Sequence, residues 1–307
     1  MDFYKKIIRS RSLRVKILNL LEFIPDKNML KMQYKIKTGR KLNLKNPTLF
    51  TEKIQWYKLN YKDPKFPMCV DKYEVHKYVK EKGLENILNE LYGVYDNVDD
   101  IDFEKLPDKF VIKTTNGGGG LDVFICKDKS KFDFIDAKEK INNALNKKAG
   151  NSGREWPYKK IKPRIIIEKY IATAKNEKSL MDYKFYCFNG EPQYLLLING
   201  RESRKKKSIY DKDFNLLDYK YVDYERIDSV KKPENYKDMV RIARILSEDF
   251  PFVRVDLYNI DGKIIFGELT FYPASGYLEK IEPKGFDEQL GKLFDISKLK
   301  VKGEKDD

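Results

Sequence analysis

The sequence predicts an α+β fold in which a mainly helical N-terminal region precedes two units built on β-strands. Helical patterns mark residues 1–24 and 46–82, and apolar runs bounded by turn residues dominate from residue 107. The pattern becomes richer in strands near residue 171, which indicates a boundary. We therefore predict units at residues 1–106, 107–171 and 172–295, followed by a charged tail at 296–307.

The helices and the first strands follow from local patterns. Asn46-Pro47-Thr48 is a candidate cap for a helix through FTEKIQWYKL, and a second helix through VDKYEVHKYVKEKG ends at Gly83. Residues 87–94 form a loop or a short strand. KFVIKT and DVFIC are strands, a helix lies near residues 137–148, and RIIIEKYI (164–171) is a buried strand.

The later strands are expected to pair as hairpins. DYKFYCFNGEPQYLLLING turns at Asn189-Gly190, and PFVRVDLYNIDGKIIFGELTF turns near Asp261-Gly262. SIYDKDFNLLDY is a candidate for another hairpin. The segment PENYKDMVRIARILSEDF forms a helix with one apolar face, made of Met239, Ile242, Ala243 and Leu246.

Composition and charge restrict the possible functions. Hydrophobic residues make up 41% of the chain, enough for a packed core, and the net charge of +14 favours anionic partners without distinguishing nucleotides, nucleic acid, glycans and lipids. The three cysteines are scattered, so we expect buried thiols in a reducing cytosol. His76 is the one histidine, predicted to face solvent on a helix. This scarcity argues against Ser-His-Asp hydrolases and histidine-ligated metal centres.

The N-terminal segment contains charges throughout, so no signal peptide or membrane span is expected. Its apolar residues approximate helical spacing: Ile7, Ile8, Leu13, Ile17, Leu18, Leu21 and Ile24. We favour an amphipathic helix packed on the protein's own core. The alternative is a basic helix lying on an anionic membrane face, which would place a cytoplasmic protein at the inner face of the cell membrane.

The stretch FVIKTTNGGGGLDVFI (110–125) carries the first functional signal. Glycines between two strands let backbone amides approach phosphate oxygens, and Lys113 adds a positive charge. The templates GxxxxGK[ST] and GxGxxG both fail, since no Lys-Ser or Lys-Thr follows and Asp122 stands at the third glycine position. A mobile surface hairpin is the alternative interpretation.

The second signal lies on the last hairpin. Strand alternation puts Arg254 and Asp256 on one face, and Glu268 and Thr270 on one face of the partner strand. Folding about Asp261-Gly262 brings the two acids close, within a register uncertainty of about two residues. Facing carboxylates favour a cation between them, and oxygen ligands suit Mg²⁺ or Mn²⁺. The alternative is a solvated strand face on which Arg254 neutralises the acids. We favour the metal site, because the flanks VRVDLY and FGELTF are too apolar for a freely solvated face.

A third signal spans the boundary near residue 171. Glu168, in Glu168-Lys169-Tyr170-Ile171, could accept from an adenine amino group, as could nearby backbone. Asp182 could accept from ribose hydroxyls, and Lys184, on the same strand face, could reach phosphate. A segment of ordinary surface charges that crosses between domains is the alternative.

Taken in order, these motifs resemble the ATP-grasp superfamily of carboxylate–amine ligases. IIIEKYI resembles the hinge of D-alanine–D-alanine ligases. NPTLFTEKIQWYKL, CVDKYEVHKYVKEKG, LPDKFVIKTTNGGGG, DYKFYCFNGEP and FGELTFYPASGY, over residues 40–280, resemble the teichuronopeptide-biosynthesis (TupA-like) ATP-grasp group. The resemblance implies an ATP-grasp fold, in which two α+β subdomains clasp ATP. The N-terminal part lacks the βαβ pattern usual in these ligases.

The resemblance also implies roles for individual residues. The metal ligands would be Asp256, Glu268 and Thr270, although many relatives have asparagine at the last position, and the catalytic residues would be Arg254 and Lys113. Nucleotide contacts would come from Lys113, Thr115, Asn116, Gly117, Gly118, Gly119, Gly120, Glu168, Lys169, Tyr170, Ile171, Asp182 and Lys184. Substrate contacts would come from Arg201, Ser275 and Gly276.

The implied activity is an ATP- and Mg²⁺-dependent ligase that joins an amine or amino acid to a carboxylate, such as a uronic acid or peptide, in surface-polysaccharide assembly. RESRKKK (201–207) could bind an anionic glycan, or it is a solvated charge run. Three alternatives remain: a sugar kinase using the same site, a basic nucleic-acid-binding protein without a recognisable motif, and a glycosyltransferase with the DxD of Asp211 and Asp213. The stretch that contains Asp211 and Asp213 is better interpreted as a hairpin turn.

Overall fold

The computed structural model describes residues 10–117, 122–173, 179–200, 204–227, 229–297 and 299. The helices are α1 (Arg11–Leu20), α2 (Asp26–Thr38), α3 (Phe50–Asn60), α4 (Phe66–Val70), α5 (Val75–Glu81), α6 (Phe134–Leu145), α7 (Tyr236–Ser247) and α8 (Phe286–Leu293). The strands are β1 (Leu91–Tyr95), β2 (Phe110–Thr114), β3 (Val123–Cys126), β4 (Ile165–Lys169), β5 (Asp182–Phe188), β6 (Glu191–Asn199), β7 (Lys206–Asp211), β8 (Lys220–Tyr221), β9 (Phe252–Ile260), β10 (Lys263–Thr270) and β11 (Ile281–Glu282). The α+β prediction is confirmed.

The first sheet has the order β1-β4-β2-β3, with every neighbouring pair antiparallel. Strand β2 alternates as the sequence predicts: Phe110 and Ile112 are fully buried, while Lys113 is partly exposed on the other face. The buried face packs with Ile141 of α6 in one hydrophobic core. This alternation aims Lys113 away from that core.

The second sheet is antiparallel with the order β10-β9-β5-β6-β7, and β8 pairs with β11 in a small separate ladder. Both predicted hairpins form, with Asn189 and Asp261 at positive φ in their turns. The apolar face of α7 is buried at Met239, Ile242, Ala243 and Leu246, as predicted.

The N-terminal helices share the core of the second sheet. Phe50, Ile54 and Tyr57 of α3 belong to the same hydrophobic cluster as Phe185 and Phe252. Helix α3 begins at Phe50, where Glu52 accepts hydrogen bonds from the amides of Thr48 (3.1 Å) and Leu49 (3.3 Å). The predicted cap at Asn46–Thr48 therefore lies just upstream of the real one. The proposed unit boundaries stay predictions.

Helix α1 departs from its predicted packing. None of its described side chains is buried, and none belongs to a hydrophobic core formed by the described residues. The expectation that this segment packs on the protein's own core is therefore wrong for the part of it that the structure describes; Ile7 and Ile8 lie outside that part. Among the described helices, none has the length and apolarity needed to cross a bilayer.

Two smaller predictions are confirmed. Cys69, Cys126 and Cys187 are buried free thiols. Asp211 accepts hydrogen bonds from the amides of Asp213 (2.9 Å) and Asn215 (2.8 Å), so the DxD pair belongs to a tight turn.

Candidate functional site

A cleft contains residues from both sheets. The first sheet contributes Lys113 and Glu168, and the second contributes Tyr258, Phe266 and Gly267. The remaining lining residues are Lys72, His76, Asn89 and Ile171. Three of the predicted nucleotide contacts, Lys113, Glu168 and Ile171, therefore lie at one cavity.

Lys113 and Glu168 form an ion pair across neighbouring strands. In the ladder of β2 and β4, Lys113 is opposite Ile166 and Val111 is opposite Glu168, so the two side chains are diagonal neighbours on one face. The Lys113 ammonium donates a hydrogen bond to the Glu168 carboxylate. A phosphate entering the cleft would compete with this carboxylate for Lys113.

The start of the glycine loop is held by a lysine that the sequence reasoning missed. Lys72 donates to the carbonyl oxygen of Thr114 at 3.2 Å and also to that of Gly117. The side-chain oxygens Thr114 Oγ1 and Asn116 Oδ1 are buried and have no hydrogen-bond partner among the described residues. A Cβ on Gly117 would lie 2.9 Å from Thr114 Oγ1, so this position is tight. Neither Thr114 nor Asn116 is among the residues that line the cleft, and Thr114 lies on the buried face of β2.

The pKa of Lys72 is affected by charged residues from both predicted halves of the site. Burial lowers the pKa of Lys72, while Glu268 and Glu168 oppose this effect and Lys113 adds to it. His76 also lines the cleft, where it is half-buried rather than fully facing solvent as predicted; burial lowers its pKa. Both residues stand in VDKYEVHKYVKEKG, where helical periodicity reveals nothing about a distant loop.

Replacing Lys72 by methionine is expected to raise the KM for ATP about tenfold, because it removes both the loop clamp and a cleft cation. The matched control is Lys77→Met, since Lys77 is on α5, is exposed, and has one ion pair among the described residues, with Glu81 at 4.0 Å. Steady-state kinetics on both variants provide the measurement. An unchanged KM in Lys72→Met would contradict the assignment of Lys72 to the nucleotide site.

The predicted carboxylate pair is aligned by a β-bulge. Glu268 lies directly opposite Asp256, and Thr270 directly opposite Arg254, because the register shifts between Phe266 and Glu268. Gly267 is the extra residue, and a Cβ there would lie 2.9 Å from the carbonyl oxygen of Asp256. Bulges re-aim side chains in this way. The bulge thus resolves the register in favour of paired acids.

Cations surround the buried member of this pair. Arg254 binds both oxygens of Asp256, at 2.6 and 2.7 Å, and reaches Glu268 and Thr270 at 3.1 Å each. Lys184 also donates to Asp256 and lies 3.7 Å from Asp182. Burial alone would raise the pKa of Asp256, but Arg254 and Lys184 hold it below its ordinary value. The pKa of Arg254 is raised because Asp256 outweighs the effect of burial.

A family model described as TupA-like ATPgrasp matches residues 52–295. The chain belongs to the TupA-like ATP-grasp family. A search of the curated proteins found no match.

Solved structures similar to this TupA-like ATP-grasp protein include three ligases. They are an L-amino acid ligase from Bacillus licheniformis, VanG D-Ala:D-Ser ligase from Enterococcus faecalis and an ATP complex of D-alanine–D-alanine ligase from Bacillus anthracis. In that order, the sequence identities are 14%, 16% and 17%, and the TM-scores are 0.46, 0.43 and 0.37. The matches cover 83%, 74% and 66% of this chain, and 57%, 61% and 54% of the ligase chains. The chain thus spans just over half to three fifths of these ligases.

The residues of the last hairpin can supply oxygen ligands to a divalent ion that is shared with a nucleotide. No group of three or more His, Cys, Asp or Glu side chains able to hold a metal occurs in the described part of the TupA-like chain. Its hairpin offers Asp256 and Glu268 together with the Thr270 hydroxyl. Mg²⁺ commonly takes one or two protein carboxylates and completes its shell with phosphate and water oxygens. An ion here would compete with Arg254 for both acids.

Other predicted residues lie elsewhere or serve the scaffold. Lys169 is at the surface, paired with Glu90 at 2.9 Å, and the Thr115 hydroxyl accepts from the Arg164 amide at 3.1 Å. Ser275 and Gly276 belong to a left-handed turn. Buried Lys58 stabilises this turn by donating a hydrogen bond to the Ser275 carbonyl oxygen at 2.8 Å. Burial lowers the pKa of Lys58 to about 7. Gly118, Gly119, Gly120 and Arg201 lie outside the described residues.

Proposed function

We propose that this TupA-like ATP-grasp protein is an ATP-dependent carboxylate–amine ligase. The observation that supports this most directly is the cleft itself. Lys113 and Lys72 line it together with Tyr258, Phe266 and Gly267 of the strand pair that carries Asp256 and Glu268. Cations on one side and paired acids on the other suit a triphosphate with its divalent ion. We also propose that the units 107–171 and 172–295 clasp the nucleotide between them.

The proposed reaction has two balanced steps. A substrate carboxylate oxygen attacks the γ-phosphorus of ATP, the bond to the β-phosphate oxygen breaks, and an acyl phosphate and ADP result. An amine nitrogen then attacks the acyl carbon, inorganic phosphate leaves, and the amine loses a proton as the amide forms. No covalent protein nucleophile is required, which agrees with a sequence that contains one histidine.

Specific side chains would perform this work. A bound Mg²⁺ would offset charge on the transferring phosphoryl group. Lys113, released from Glu168, would hold phosphate oxygens, and Glu168 would then accept from the adenine amino group. Arg254, between Asp256 and Glu268, is placed to stabilise charge that develops during transfer. Asn116 and Gly117 would contribute to a lid that excludes water from the acyl phosphate.

For the substrates we propose an amino acid or other amine and a uronic acid or peptide carboxylate, used in the cytoplasm for surface-polysaccharide assembly. The basic segment 201–207 remains the proposed glycan contact. Its last member, Lys207, is buried, paired with Glu279, and lies 3.7 Å from the centre of the Tyr224 ring. Among the described members of the segment, Arg204 and Lys205 are exposed, and Arg204 pairs with Glu225 at 2.8 Å.

A coupled screen tests the proposal. Purified protein with Mg-ATP is incubated with a panel of uronic acids and amines, and ADP and inorganic phosphate are measured separately. We expect equal amounts of both products, formed only when acid and amine are both present. ADP without phosphate would indicate a kinase instead. If millimolar ATP with Mg²⁺ failed to raise the unfolding temperature, nucleotide binding itself would be contradicted.

A further inference from the structure

The N-terminal corner of the protein exposes an unusual set of apolar side chains. Leu20 is 77% exposed and Phe23 is 80% exposed, at the corner between α1 and α2. Nine large hydrophobic side chains are exposed in the described part of the chain, and five of them lie between Leu13 and Ile36. Such clustering marks an interaction surface, whereas single exposed residues are ordinary.

This corner is also strongly basic. Residues 10–45 contain ten lysines and arginines and two acids, which gives +8 of the molecule's +14. Both acids already have partners elsewhere, Glu22 with Lys148 at 3.1 Å and Asp26 with Arg154 at 2.9 Å. The exposed apolar side chains are therefore set in an area of positive potential.

Helix α2 arranges its charges in a row. Lys27, Lys31 and Lys35 are four residues apart and share one exposed face, while Met29, Leu30, Gln33 and Tyr34 anchor the other face in the protein. Exposed Met32 and Ile36 lie one position further along the same helix surface. A groove lined by Lys27, Lys31, Lys45 and residues 42–44 runs beside the row. The lysine row, Met32 and Ile36 thus lie side by side on the exposed surface of α2.

A buried arginine fixes the corner to the body of the protein. Arg154 donates to the carbonyl oxygens of Leu21 at 2.7 Å and Glu22 at 3.2 Å, besides its pair with Asp26. Three contacts from one buried guanidinium hold the end of α1 and the start of α2 together. The backbone next to Leu20 and Phe23 is consequently held against the body of the protein.

We propose that this surface docks on an anionic lipid bilayer. Leu20 and Phe23 would enter the boundary between headgroups and acyl chains, and the lysine row of α2 would face lipid phosphates. A soluble polyanion would attract the lysines but would bury neither apolar side chain. A second copy of the chain would bring the same positive charge and be repelled. The proposal does not depend on the reaction that the cleft catalyses.

Vesicle sedimentation tests this proposal with the whole protein. We expect binding to vesicles of phosphatidylcholine mixed with phosphatidylglycerol, and little binding to phosphatidylcholine alone. The double variant Leu20→Glu/Phe23→Glu should lower the partition coefficient by about tenfold or more. The double variant Lys27→Glu/Lys31→Glu should lower it by about thirtyfold or more, since each lysine near an anionic surface contributes on the order of fivefold.

Matched controls separate this surface from general effects. Ile135→Glu changes an apolar side chain that is 83% exposed on α6, and Lys105→Glu/Lys131→Glu changes the net charge as much as the α2 variant does. Both controls should bind vesicles like the unmodified protein. Equal losses in the controls, or equal binding to neutral vesicles, would overturn the proposal. So would heparin binding without vesicle binding, which would indicate a soluble polyanion as the partner.

Discussion

Replacing Glu268 by glutamine is expected to lower the rate of amine-dependent ADP release by a factor of about 10²–10³ while the protein stays folded. Glutamine keeps the shape of the side chain but removes the charge that would hold a divalent ion opposite Asp256. The Glu268 side chain is 47% exposed, and its one described cationic partner is Arg254 at 3.1 Å. Its loss should therefore cost little folding stability. Rates at saturating substrates, together with a Mg²⁺ titration, provide the measurement.

Glu191→Gln is the matched control for this variant. Glu191 is on β6 of the same sheet, its side chain is 52% exposed, and it pairs with Arg244 at 2.8 Å. Both changes remove one exposed carboxylate that is paired with an arginine. If the two variants had similar rates and similar Mg²⁺ requirements, Glu268 would not belong to the metal site.

The local elements of this fold could be predicted because their signals lie within a few residues. Asn189-Gly190 and Asp261-Gly262 specify tight turns between strands, and both hairpins form where these dipeptides stand. Alternation along β2 and β9 also predicted which side chains share a face, including Arg254 with Asp256. The order of these motifs led to the family that the comparison then confirmed.

Features that depend on distant packing could not be predicted. Lys72 reaches the carbonyl of Gly117 from a different part of the chain, and His76 reaches the cleft from a helix whose periodicity indicated solvent. The bulge at Gly267 could not be predicted from the sequence either, because a glycine within a strand is compatible with either register. Helix α1 was misjudged for the same reason: amphipathicity indicates that a face is covered but not what covers it.

Asp256→Asn should lower the free energy of unfolding at neutral pH by about 3–5 kcal/mol, because it leaves two buried cations without their shared carboxylate. Arg254 and Lys184 both contact this side chain, and all three groups have little exposure to solvent. Asparagine is similar in size, so the loss would reflect charge and hydrogen bonding rather than a cavity. Urea unfolding of the variant and the unmodified protein measures the difference.

The interaction of Asp256 with Arg254 and Lys184 also predicts how this loss of unfolding free energy depends on pH. The folded-state pKa of Asp256 lies below its ordinary value of 3.8, so its contribution is present above that pH and is lost as the pH falls through the folded-state pKa. The difference in unfolding free energy between variant and unmodified protein should thus be constant near neutrality and narrow in acid.

Asp249 is the matched control for burial. It also contacts two lysines, Lys65 at 2.9 Å and Lys82 at 3.0 Å, but its side chain is 24% exposed. Because water screens that group, Asp249→Asn should cost only about 1 kcal/mol. Equal losses from the two variants would mean that the buried cations beside Asp256 do not depend on its charge.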